Sequence, residues 1–156
     1  MATEEMTLDV QGMNCASCVA HVQKAALAVP GVADCRHEIV QADCFDWLEQ
    51  TQENFDLIVL DPPSLAKRAA EREGAIHAYE RLNSLGIARL SRDGILVAGS
   101  CSAHVSATEF FDTVRRAGMK SGRKFSELKT LRHPPDHPAT FKEAEYLKVI
   151  YLKFVT

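Results

Sequence analysis

Cys15 and Cys18 stand three residues apart at the opening of a helix-like run. Thiolates at that spacing converge on one soft metal ion. Asn14 caps such a helix by accepting bonds from its first amides. Those amides and the positive end of the helix dipole favour the thiolate form. Cu(I) suits the pair because it accepts two thiolates; zinc prefers four ligands and would need more. A second group lies further on: Asp61-Pro62-Pro63 closes one apolar run, and Ser100-Cys101-Ser102 closes another. By residue type alone, Asp61 could cap a turn that the two prolines fix. Likewise Cys101 could be a small apolar side chain at a strand end.

The elements that must position these residues alternate in type. Residues Met6 to Val10 alternate apolar and polar, as in a half-buried strand. Gly12 permits a turn. A helix is predicted from Cys15 to Val29, with Val19, Val22, Ala26 and Val29 at helical spacing, and Pro30-Gly31 stops it. A second strand is predicted over His37 to Gln41, and a short helix over Asp43 to Gln50. Phe55 to Leu60 reads as a parallel strand buried on both faces. A helix from about Ala75 to Leu90 follows. Asp93-Gly94 then turns into a strand from Ile95 to Gly99, and Ser106 caps a helix over Ala107 to Ala117. Arg123 to Leu131 and Tyr146 to Val155 read as closing strands around the proline-rich loop His133 to Pro138.

This alternation predicts an α/β fold: a three-layer, open, mostly parallel sheet of the Rossmann or flavodoxin-like kind. The expected strand order begins 2-1-3-4, with an antiparallel C-terminal edge. Ligands of such sheets bind where strand order reverses, at the strands' carboxyl ends. A first strand in the centre would bring Cys15 and Cys18 there, near Asp61.

The whole chain, 156 residues, is expected to form one domain. No apolar run is long enough for a membrane span, and the acidic start Met1-Ala2-Thr3-Glu4-Glu5 is no secretory signal. Five cysteines form no regular framework, so reduced thiols and a cytoplasmic location are expected. Net charge is -3, yet the two halves differ in sign. Through Asp61 there are eleven acids and two bases; after it there are ten acids and sixteen bases. Arg115, Arg116, Lys120, Arg123, Lys124, Lys129 and Arg132 form a basic stretch, read either as solvated surface or as an RNA-facing patch. Oligomeric state is not readable.

Two resemblances follow from the ordered residues. Gly12-Met13-Asn14-Cys15-Ala16-Ser17-Cys18, followed by Val29-Pro30-Gly31-Val32, resembles the first strand and helix of a heavy-metal-associated domain. That family includes copper chaperones and the amino-terminal domains of copper-transporting ATPases. The resemblance implies Cys15 and Cys18 as metal ligands, and it covers only the first half of a βαββαβ unit.

The remainder resembles the back half of a class I S-adenosylmethionine-dependent methyltransferase, in the family that methylates carbon 5 of a cytosine in large-subunit ribosomal RNA. The residues carrying this likeness are Gln41-Ala42-Asp43, Phe55 to Pro63, Gly94 to Val97, Ser100-Cys101-Ser102, Asp136-His137-Pro138 and Glu145-Tyr146-Leu147-Lys148. It implies S-adenosylmethionine as cofactor and RNA as partner. It also implies Cys101 as the nucleophile that adds to carbon 6 of the base. Asp61 would bond the ring, and Asp43 would lie near the adenine of the cofactor, with Asp61, Pro62 and Pro63 shaping the pocket. Ser64 stands where amino-group methyltransferases carry an aromatic residue, which favours carbon as the target.

The glycine-rich cofactor loop and the ribose-holding acid are missing from this pattern. The sequence therefore reads first as a chimeric or engineered hybrid, residues 1–36 metal-associated and 37–156 methyltransferase-derived, without catalysis but with a possible Cu(I) site. The alternatives are an S-adenosylmethionine-dependent RNA (cytosine-5) methyltransferase and an RNA-binding module.

Overall fold

The computed structural model describes the backbone of residues 8–10 and 16–19, and whole residues over 20–35, 40–133 and 146–155. Its strands are β1 (Leu8–Val10), β2 (Phe55–Leu60), β3 (Leu90–Ser100), β4 (Lys124–Leu131) and β5 (Lys148–Val155). Its helices are α1 (Ala16–Leu27), α2 (Cys44–Gln50), α3 (Arg72–Ala88) and α4 (Ala107–Lys120).

The five strands among the described residues form one sheet in the order β1-β2-β3-β5-β4. β1, β2 and β3 run parallel, and β5 runs antiparallel to both β3 and β4. The α/β class and the antiparallel edge are as the sequence predicts, and the last strand inserts between β3 and β4. The strand predicted over 37–41 lies largely outside the described residues, and residues 40 and 41 are not in a strand.

Local chemistry sets the helix starts. Asp43 Oδ1 accepts from the amides of Phe45 and Asp46 at 2.9 and 3.2 Å, opening α2. Ser106 and Glu109 form a reciprocal capping box on α4, as expected from Ser106. Asp93-Gly94 is not a turn before the strand but a bulge within β3. Phe55 pairs with Leu90 and Leu57 with Ile95, so residues 91–94 bow outward. Asp93 has φ 61, a left-handed conformation that aspartate tolerates.

The helices α2, α3 and α4 pack side by side, and α3 and α4 lie against the sheet. Tyr79, Leu82, Ile87, Phe110 and Val114 meet Ile58, Leu60, Leu96, Ile150, Leu152 and Phe154 in the core. β2 is thus fully buried on one face only; Leu57 and Val59 on the other are half-buried. This differs from the two-sided burial read from the apolar run, and no described side chain of α1 joins the buried core. Val22, Leu27 and Val29 of that segment stay exposed.

Gly118 of α4 sits against Phe125 of β4. A Cβ there would lie 2.8 Å from the ring's Cε1 and 3.1 Å from Cδ1 and Cζ. Glycine to alanine in a helix normally gains about 1 kcal/mol. Here the ring is held against Phe154, with centroids 5.5 Å apart, and must move. Gly118→Ala is expected to destabilise by about 1–2 kcal/mol in urea unfolding; an unchanged or raised midpoint would show that Phe125 yields without cost.

Candidate active site at the ends of β2 and β3

The register Leu60↔Ala98 sets Asp61 beside Gly99 at the carboxyl end of the sheet. A Cβ on Gly99 would lie 3.2 Å from Asp61 Oδ1, so glycine leaves the space that the carboxylate occupies. One residue beyond β3, the Cys101 sulfur lies 3.9 Å from the Pro62 carbonyl oxygen, a weak thiol contact. Asp61, Pro62 and Cys101 are therefore brought together, with Asp61 and Pro63 exposed and Cys101 half-buried.

Beneath them runs a buried chain of hydroxyls. Ser100 Oγ donates to Tyr79 Oη at 2.9 Å, and Tyr79 Oη lies 2.8 Å from Ser102 Oγ. Ser102 Oγ lies 3.1 Å from Ser64 Oγ, which donates to the Ala66 carbonyl at 3.1 Å. Each hydroxyl has one proton, so donation runs Ser100, Tyr79, Ser102, Ser64, Ala66. Ser102 Oγ also accepts from the amides of Leu65 and Ala66. This chain ties the loop after Pro63 to the Cys101 turn, and both to α3. Tyr79→Phe would strip partners from two buried serines. It is expected to cost about 1–3 kcal/mol in unfolding experiments; a loss of only a few tenths would contradict that role for the tyrosine.

Lys148 is the remaining part. It is 2% exposed, and its Nζ donates to the carbonyls of Ser102 at 2.5 Å and Tyr146 at 3.1 Å. Burial pulls its ammonium down to about 8, and attraction to the Cys101 sulfur opposes that fall. Tyr79 and Lys148 were missed as site residues by sequence reasoning. The signal for Lys148 was its phase, since it shares the buried side of β5 with Ile150, Leu152 and Phe154.

Asp43 is exposed and caps α2; no described contact joins it to Asp61, Pro62 or Pro63. Its neighbour Cys44 is half-buried, and burial first, then the Asp43 charge, pushes that thiol up. Cys15 lies outside the described residues, and of Cys18 only its place in α1 is described. Among the described residues no three His, Cys, Asp or Glu side chains gather to hold a metal.

The basic stretch is largely spent internally. Arg115 pairs with Asp112 and Glu127, and Glu80 takes both Arg116 and Lys120. Arg123 donates to the carbonyls of Ile87, Leu90 and Ser91 and stacks over Phe154. It braces the β3 bulge, so its cation is not on offer to phosphate.

The sheet and its strand-end site define a methyltransferase-like Rossmann fold. Among solved structures, SMU.776 complexed with SAH aligns at TM-score 0.67 and 23% identity, covering 94% of this chain and 38% of that one. NSun6 from Pyrococcus horikoshii aligns at TM-score 0.58 and 18% identity, covering 76% and 35%. In sequence, a ribosomal RNA large subunit methyltransferase of Deinococcus radiodurans is 54% identical over 120 residues, 75% of this chain and 29% of that protein. Ribosomal RNA large subunit methyltransferase I of Shewanella amazonensis is 35% identical over 127 residues, 78% of this chain and 32% of that protein. The chain thus spans under a third of these relatives' length. The heavy-metal-associated domain model matches residues 7–40. The chain joins that segment to one similar to ribosomal RNA methyltransferases. No described helix is long and apolar enough to cross a membrane.

Proposed function

We propose that this chain transfers a methyl group from S-adenosylmethionine to carbon 5 of a cytosine in RNA, with Cys101 as nucleophile. The observation that carries this reading is the meeting of Cys101 and Asp61 at the joined ends of β2 and β3, over a buried hydroxyl chain. The names of the ribosomal RNA methyltransferases it resembles support the substrate class.

Carbon 5 of cytosine is a poor nucleophile. A bond from the Cys101 thiolate to carbon 6 moves the ring's double-bond electrons and makes carbon 5 enamine-like. Asp61, exposed at the strand end, holds the ring and steadies the adduct. S-adenosylmethionine, when bound, supplies the methyl group; Asp61, Pro62, Pro63 and Asp43 would hold it, and the space left by Gly99 suits that placement of Asp61. Loss of the carbon 5 proton and release of the Cys101 sulfur then restore the ring. A free thiol at Cys101 suits a reducing compartment such as the cytoplasm.

Calorimetric titration of the reduced, metal-free chain with S-adenosylmethionine tests this reading. Micromolar binding supports it. No heat at millimolar ligand would leave the methyltransferase-like part as scaffold.

A second reading concerns the other end of what would be one hybrid domain. The match to residues 7–40 favours a soft-metal site, Cu(I) held by Cys15 and Cys18. Because β1 runs parallel to β2, the chain leaves β1 at the same end of the sheet as Asp61.

A further inference from the structure

Lys148 is the one charged side chain among the described residues that is fully buried. A buried charge is costly unless something of opposite sign faces it. The two carbonyls on Nζ satisfy hydrogen bonds but carry no charge. Among the described residues, the group of opposite charge that acts on the ammonium is the Cys101 sulfur. Among the described residues, the titratable side chains on the neighbouring elements include Asp61 beside Gly99, Tyr79 in the hydroxyl chain, and Tyr146 with His133 stacked against it.

Geometry explains the pairing. Lys148 pairs directly with Ser100 across β3 and β5, and its Nζ reaches the carbonyl of Ser102. It therefore spans the residues before and after Cys101. We propose that Lys148 is a positioning residue that clamps the Cys101 turn and serves as the counter-charge of the Cys101 thiolate. The use of that thiolate in methyl transfer rests on the function proposed above. The pair itself does not, and it can be tested with neither RNA nor cofactor.

The test is alkylation of the reduced, metal-free full chain by iodoacetamide, read peptide by peptide by mass spectrometry. Only thiolates react, so the rate follows the ionised fraction. At neutral pH, Lys148→Met is expected to slow Cys101 alkylation by about tenfold or more. Alkylation of Cys35 in the same sample should not change. Equal Cys101 alkylation rates in two folded proteins would overturn the proposal. If Lys148→Met does not fold, the reciprocal measurement decides. Cys101→Ser removes the anionic partner, so the Lys148 ammonium, followed by NMR, should titrate lower than in the parent chain. An unmoved Lys148 titration would overturn the pair.

Discussion

A Cys101→Ser chain is expected to stay folded and to lose methyl transfer to RNA by on the order of 10⁴-fold or more. The exchange alters one atom at a half-buried turn. The sulfur's described hydrogen bond is a 3.9 Å contact to the Pro62 carbonyl, so little hydrogen-bond energy is lost and the fold should persist. The chemistry is another matter. A serine hydroxyl is a far weaker acid than a thiol and holds almost no alkoxide near neutral pH, so it is a poor substitute nucleophile. Labelled methyl transfer and a thermal melt, run on the same preparation, check both halves of the expectation. Undiminished transfer in Cys101→Ser, or its loss on replacing Cys15 and Cys18 instead, would remove Cys101 from the mechanism.

The largest expected effect on stability is from Phe110→Ala. Phe110 is 0% exposed and stands edge-on to Tyr79, with ring centroids 5.1 Å apart. Truncating a buried phenylalanine costs about 3–5 kcal/mol, counting both lost transfer energy and the cavity left behind. A domain of this size is stable by only about 5–15 kcal/mol, so much of the margin goes. The damage should reach the site, because Tyr79 then has an open flank and its hydroxyl orders Ser100 and Ser102. Urea unfolding should show the loss as a fall in midpoint; a loss under about 1 kcal/mol would mean that Phe111 and Val114 close the gap.

What the sequence made legible was mostly local. Ser106 with Glu109, the Asp-Pro-Pro strand end and the alternation in β5 are short-range signals, and each element appears where they point. Long-range features were less legible. The phase of β5 marks Lys148 as inward-facing, but only pairing with β3 places it beside Cys101, more than forty residues away along the chain. Arg123 reads as part of a basic patch until its guanidinium is found on three carbonyls of the α3–β3 connection. The apolar run 55–60 could not reveal that Leu57 and Val59 are only half-buried. In α1, the helical spacing predicts a helix correctly, although it ends at Leu27 and not at Val29, but it does not predict burial, because burial depends on a neighbour that no spacing specifies.

The most direct measurement of the central claim is a covalent trap. RNA carrying 5-fluorocytidine has no carbon 5 proton to lose, so a methylated adduct cannot release the enzyme sulfur. Incubation of the reduced chain with such RNA and S-adenosylmethionine is predicted to give a denaturation-resistant complex that requires the cofactor and maps to Cys101. No complex, or one whose linked peptide carries a different cysteine, would contradict the account.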